Sequence, residues 1–272
     1  MTPRIGLSTG ACTDRPILDM LPALAASHVR TLEVSTPPRH FDVWQPGQIE
    51  ALSLELRHRA LDVVSIHAPF GGLLDLAEPN PHHRMAAVGA ILAAARAVIQ
   101  LGGSMVVVHP SDLERSRHNV PDRLADCASS LETLAENCRT IGVTIAVESP
   151  LPHLIGGHPD EFAAILDSLD PAVKVCLDTG HTALGGHWRR FVEVAGARLA
   201  HVHAHDNRGH WDDHLPPGDG SIDWAHVRGT LEDAGFKGWV MLELACPGSD
   251  PESYFRRAVE KTAELLGPGV VK

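Results

Sequence analysis

The 272-residue chain is predicted to fold as a single α/β domain over residues 1–272, a (β/α)8 TIM barrel. Three observations predict it. Eight short apolar runs alternate with amphipathic stretches. The runs are continuous rather than alternating, as in a parallel sheet covered on both faces. Gly or Pro marks the joints, and no composition shift marks a linker. Eight such units in this length favour a closed barrel over a doubly wound sheet.

The elements follow in order. Residues 4–9 form a first strand, and a helix starts at Thr13 or Asp14, with Pro16 in its first turn, and runs through Leu18, Leu21, Leu24 and Ala25. Residues 30–35 form a second strand, ended by Pro37 and Pro38. Pro46 opens a helix through Leu61, and residues 62–66 lead a third strand into His67. The helix over 81–101 carries Met85, Val88, Leu92, Ala95 and Ile99 on one stripe and stops at Gly102. Strand 105–108 ends in His109-Pro110, and a helix from Pro121 stops at Gly142. Strand 143–147 ends in Glu148, helix 159–169 follows, and strand 173–177 leads into Asp178-Thr179-Gly180-His181. A helix over 188–194, a strand over 199–203, a helix over 223–234, a strand over 239–242 ended by Glu243, and a helix after Asp250-Pro251 complete the chain.

Composition narrows the function classes. Hydrophobic residues make up 44% and charged residues 21%, as in globular rather than disordered chains. No apolar run is long enough to span a membrane, and the N-terminus enters a strand without a signal-peptide layout. Five scattered cysteines (Cys12, Cys127, Cys138, Cys176, Cys246) without a CxxC pair suit reduced thiols in a cytoplasm. A net charge of −11 and only four lysines disfavour nucleic acid and anionic membranes as partners.

Strand ends supply the chemistry. In a barrel of this kind, side chains at the C-terminal ends of the strands converge on one mouth. Nine metal-competent residues fall there: His67, His109, Glu148, Asp178, His181, His203, Asp212, His214 and Glu243. Single strand-end histidines are common as hydrogen-bonding residues, but such a succession is not explained that way. Carboxylates crowded in a low-dielectric mouth oppose each other's ionisation, and a divalent cation (Zn, Mn, Co or Mg, in one to three copies) resolves the conflict. His201, His203 and His205 alternate on one strand face, so either His203 or His205 supplies the ligand there. His210, Asp213 and Asp219 read as loop residues, and Cys176 as barrel filling. Phe70, Trp44 and Trp188 line a substrate pocket or belong to the core.

The segments HAPF (67–70), HP (109–110), VESP (147–150), LDTGH (177–181), HVHAHDN (201–207), DDHLPPGDGSIDW (212–224) and LEL (242–244) resemble the xylose-isomerase-like TIM-barrel superfamily. That superfamily joins sugar and sugar-phosphate isomerases and epimerases with endonuclease IV-type AP endonucleases. The resemblance to the isomerase branch implies Glu148, Asp178, His203 and Glu243 as metal ligands. It also implies Glu148 and Glu243 as the acid/base pair, with His181 contacting substrate. Arg208 is placed to reach a hydroxyl or phosphate, and Phe70 to line the substrate. The resemblance to the endonuclease branch implies three zinc ions on all nine residues, with Arg39 and Phe70 on the loops that enter DNA. The acidic balance and the lack of a basic run favour a small sugar or sugar phosphate over a phosphodiester. A non-catalytic, metal-stabilised binding barrel is a third reading, opposed by the paired Glu148 and Glu243. Barrels of this type often pair as homo-oligomers.

Overall fold

Each apolar run becomes a strand in the computed structural model, which describes residues 4–245, 248 and 250–270. The strands are β1 (Ile5–Ser8), β2 (Thr31–Ser35), β3 (Asp62–His67), β4 (Met105–Val108), β5 (Thr144–Glu148), β6 (Lys174–Asp178), β7 (Leu199–Ala204) and β8 (Trp239–Leu242). Each pairs parallel with the next and β8 pairs with β1, so the sheet closes into a barrel. The helices around it are α1 (Leu21–Ala26), α2 (Pro46–Arg59), α3 (Pro81–Gln100), α4 (Val120–Thr140), α5 (Pro159–Asp167), α6 (Thr179–Leu184), α7 (Trp188–Ala195), α8 (Trp224–Asp233) and α9 (Pro251–Val270).

Strand alternation divides the molecule into two interiors. Leu7, Leu32, Val34, Ile66, Val106, Val108, Val147, Leu177, Val202 and Leu242 face outward and pack with the helices in the main core. Val107, Ala146 and Cys176, with Met105 against them, form a separate cluster from the alternate positions of β4, β5 and β6. Gly6 shows how tight the barrel is: a Cβ there would lie 2.2 Å from Met241 Sδ. Two register shifts interrupt the ladder, at Leu32/Glu33 between β2 and β3 and at Val175/Cys176 between β6 and β7.

The structure corrects the sequence reading in several places. The first helix does not start at Thr13 or Asp14. Two 3-10 turns (Thr9–Cys12 and Ile17–Asp19) precede α1, which begins at Leu21. Pro16 caps the second turn rather than opening a helix, and Leu18 is exposed. In α3, Met85 and Ile99 are 59% and 45% exposed, and the buried face runs through Ala87, Val88, Ile91, Ala94, Ala95 and Val98. A face of small residues lets α3 pack close to the sheet, so the wider Met and Ile are left at its ends. Asp178 at the end of β6 caps α6, a helix absent from the sequence reading, its Oδ1 accepting from His181 N at 2.7 Å. Cys246 lies outside the described residues. The four other cysteines are buried.

Candidate metal centre and active site

The polar residues at the tops of the strands converge. β5 ends on Glu148, β6 on Asp178, β7 passes through His203, and Glu243 follows β8. One ligand atom from each of these four lies within 4.8 Å of the others. His203 Nδ1 is 3.0 Å from Glu148 Oε1 and 3.1 Å from Glu243 Oε2, so the two glutamates meet at one nitrogen. On the β3–β4 side, His67 Nε2 and His109 Nε2 lie 3.1 and 3.2 Å from Glu148 Oε2. On the β6–β7 side, His181 Nε2 and His214 Nε2 lie 3.2 and 3.1 Å from Asp212 Oδ2.

The far nitrogen of each histidine separates two kinds of site. A metal-ligating imidazole donates its other N–H to a carbonyl or carboxylate. His67 Nδ1 is 3.2 Å from Ala68 O, His181 Nδ1 is 2.9 Å from Ser149 O, and His214 Nδ1 is 2.9 Å from Glu243 O. His203 Nε2 lies 2.9 Å from Glu33 Oε1. At His109, His201 and His205, Nδ1 is buried and makes no hydrogen bond. His205 Nε2 sits 3.0 Å from Asp178 Oδ2, and its ring stacks on His214 at 4.0 Å. His67, His181 and His214 therefore have a hydrogen-bonded far nitrogen and His203 a carboxylate beside its own, and the donor set of imidazoles and carboxylates fits a divalent metal.

Histidines and carboxylates shift one another's protonation at this site. Burial would raise the Glu148 carboxyl, but the charges of His203 and His109 outweigh it and hold it well below the usual range. Burial is opposed in the same way at Glu243, which His203 brings down to about 2. Burial works against protonation of His67 and His214, yet Glu148 and Asp212 respectively push them up to about 9 and about 10. A cation that takes these ligands displaces those protons.

A cavity of about 670 Å³ opens beside Glu243. Glu243, His67, Asp212 and His214 reach it from the polar side, and Pro38, Val43, Trp44, Phe70 and Leu74 form an apolar wall. Trp44 and Phe70 are 62% and 49% exposed, and the Phe70 ring stacks on His109 at 4.0 Å. No lysine or arginine lines this cavity among the described residues.

The comparisons with known proteins follow this geometry. A family model described as a xylose isomerase-like TIM barrel matches residues 22–265. The chain belongs to the xylose isomerase-like TIM-barrel family. Within reach of this xylose isomerase-like chain is an uncharacterised protein, MJ1311, of Methanocaldococcus jannaschii, 31% identical over 75% of each chain. The probable endonuclease 4 of Acholeplasma laidlawii is 27% identical over 52% of this chain and 48% of its own. Among solved structures, a D-tagatose 3-epimerase-like protein superposes with a TM-score of 0.84 at 24% identity, over 98% of both chains. The IolI protein with a bound zinc atom superposes with a TM-score of 0.83 at 16% identity, again over 98% of both. At these identities the likeness to the solved structures is one of fold.

Not every residue singled out in the sequence of this xylose isomerase-like barrel reaches the mouth. Arg208 is exposed, pairs with Asp213 at 3.7 Å, and does not line the cavity. Arg39 is exposed and also absent from the lining, while Trp188 is buried away from it. Asp213, read as an ordinary loop residue, does line it. Sequence reasoning passed over Glu33 and Asp206. Glu33 is a charge in the middle of an apolar strand, at an inward position, and that was the available signal. Asp206 carries the loop between β7 and α8: its carboxylate accepts from Asn207 N, Gly218 N, Ile222 N and Trp224 Nε1 at 2.8–3.0 Å. That loop bears Asp212 and His214.

Proposed function

We propose that this protein is a divalent-metal-dependent isomerase or epimerase of an unphosphorylated sugar, acting by proton transfer at the carbon next to a carbonyl. The observation that carries the reading is a pair of glutamates, the buried Glu148 and the partly buried Glu243, meeting at His203 Nδ1 beside the cavity. Glu148, Asp178, His203 and Glu243 would hold the cation, which when bound polarises a carbonyl oxygen and acidifies the neighbouring C–H. Both glutamates are held ionised, so each is in the form that accepts a proton. One glutamate takes the proton. Its return by the other inverts the carbon, and its return by the same one leaves the configuration unchanged. The apolar wall of Trp44 and Phe70 excludes water and packs against the carbon faces of a sugar. The absence of lysine and arginine from the described lining favours a neutral substrate over a sugar phosphate. The D-tagatose 3-epimerase-like protein among the structural neighbours agrees with this reading.

A second reading has its own support. His67 and His109 on one Glu148 oxygen, with His181 and His214 on one Asp212 oxygen, is a grouping suited to three ions and a zinc-dependent phosphodiesterase. A net charge of −11 opposes a DNA substrate. The two are separated by incubating the metal-loaded protein in D2O with a panel of ketoses. Deuterium at the carbon beside the carbonyl is expected, lost in Glu148→Gln and Glu243→Gln. No exchange with any ketose, together with cleavage of abasic-site DNA, would establish the second reading instead.

A further inference from the structure

Beneath the two glutamates lies a polar layer that the proposed chemistry does not use. Glu33 on β2 is fully buried. Its Oε2 accepts from Ser65 Oγ at 2.7 Å and lies 3.1 Å from His201 Nε2. Its Oε1 lies at ion-pair distance, 2.9 Å, from His203 Nε2, and both of these buried atoms otherwise lack a hydrogen-bond partner. β2 and β7 are not neighbours in the sheet, so this contact crosses the barrel interior. The register shift at Leu32/Glu33 falls beside it, and such irregularities re-aim side chains.

We propose that Glu33 is a positioning residue of the cation site, keeping the His203 proton on Nε2 so that Nδ1 presents its lone pair beside Glu148 and Glu243. A neutral imidazole carries one proton and has two nitrogens. With carboxylates at both, the proton has somewhere to stay when a cation occupies Nδ1: it remains facing Glu33. A carboxylate behind the ring also makes the imidazole a stronger donor to the metal. Ser65 and His201 hold the other oxygen, which fixes the rotation of the carboxylate and keeps Oε1 toward His203. Burial of a charge at this depth is costly unless it is paired, so a group there for packing alone would serve as well uncharged.

The inference rests on His203 being a cation ligand, and the test separates the two claims. Metal-free protein is titrated with Co²⁺, followed by visible absorption and by competition with a chelating dye. Glu33→Gln keeps the shape and removes the charge, and is expected to weaken Co²⁺ binding roughly 10- to 100-fold and shift the absorption bands. Glu33→Asp keeps the charge but draws it back, and is expected to bind with intermediate affinity. Wild-type affinity and unchanged bands in Glu33→Gln would overturn the proposal. Should that variant not fold, Glu33→Asp carries the test, and wild-type affinity there overturns it. His203→Ala is the control: loss of Co²⁺ binding in it but not in Glu33→Gln removes only the role of Glu33. Retained binding in His203→Ala removes the ligand reading itself.

Discussion

At the scale of single residues, Gly180 has a reason that no contact of its own reveals. A Cβ at this position would lie 2.0 Å from Cε1 of the fully buried His205 ring. That ring is held by Asp178 and cannot swing away without abandoning a carboxylate of the candidate cation group. Gly180→Ala is expected to destabilise the fold by about 1–3 kcal/mol, as overpacking does, and to weaken cation binding with it. Denaturant melts with and without Zn²⁺ check both. Glu148→Gln and Glu243→Gln are expected to keep the fold, by circular dichroism, and to lose turnover. The thiols give a complementary expectation. Burial pushes Cys138 up to about 12 and Cys127 well above its usual value, so neither is a reactive thiolate. Iodoacetamide at pH 8 is expected to leave Cys12, Cys127, Cys138 and Cys176 unmodified in the native protein and to label them after unfolding.

At the scale of elements, the loop between β7 and α8 carries Asp212 and His214, two of the candidate cation-binding side chains. Asp206 ties three backbone amides and one indole of that loop to a single carboxylate. Asp206→Ala would strand those donors. It is expected to cost about 3 kcal/mol, and hydrogen exchange should show protection lost over residues 206–224. This loop also shows what the sequence could and could not convey. The mouth was legible because strand-end residues share one face: His67, His109, Glu148, Asp178, His203 and Glu243 needed only the period of two and the barrel to be placed together. Asp212 and His214 were legible by composition. Asp206 was not, because its partners are backbone amides up to sixteen residues on, and a hydrogen-bond pattern of that kind leaves no residue signature. The first helix was misread for a related reason. The 3-10 turns before α1 are set by tertiary contact, with Ile17 N bonded to His40 O, and not by local periodicity.

At the scale of the whole molecule, the barrel serves to hold several buried carboxylates and histidines at one end of a closed sheet. That arrangement is an electrostatic liability that a divalent cation would relieve, and in the proposed reading metal and folding stability are linked. At free cation a hundredfold above the dissociation constant, binding to the native state alone adds about 2.7 kcal/mol. Chelation is expected to lower the melting temperature, and returning Zn²⁺ or Mn²⁺ to restore it. Among the described residues no helix is long and apolar enough to cross a membrane, and the acidic surface gives nucleic acid no complementary field. In the proposed reading, substrate recognition falls to the cavity lined by Glu243, with its apolar wall and polar floor. The measurement that bears most directly on this account is the metal content per chain of protein purified without added metal or chelator. Close to one divalent ion per chain, shared by Glu148, Asp178, His203 and Glu243, is the expected result. No bound metal, even after dialysis against excess cation, would contradict the account, and close to three zinc ions would replace the sugar reaction with phosphodiester hydrolysis.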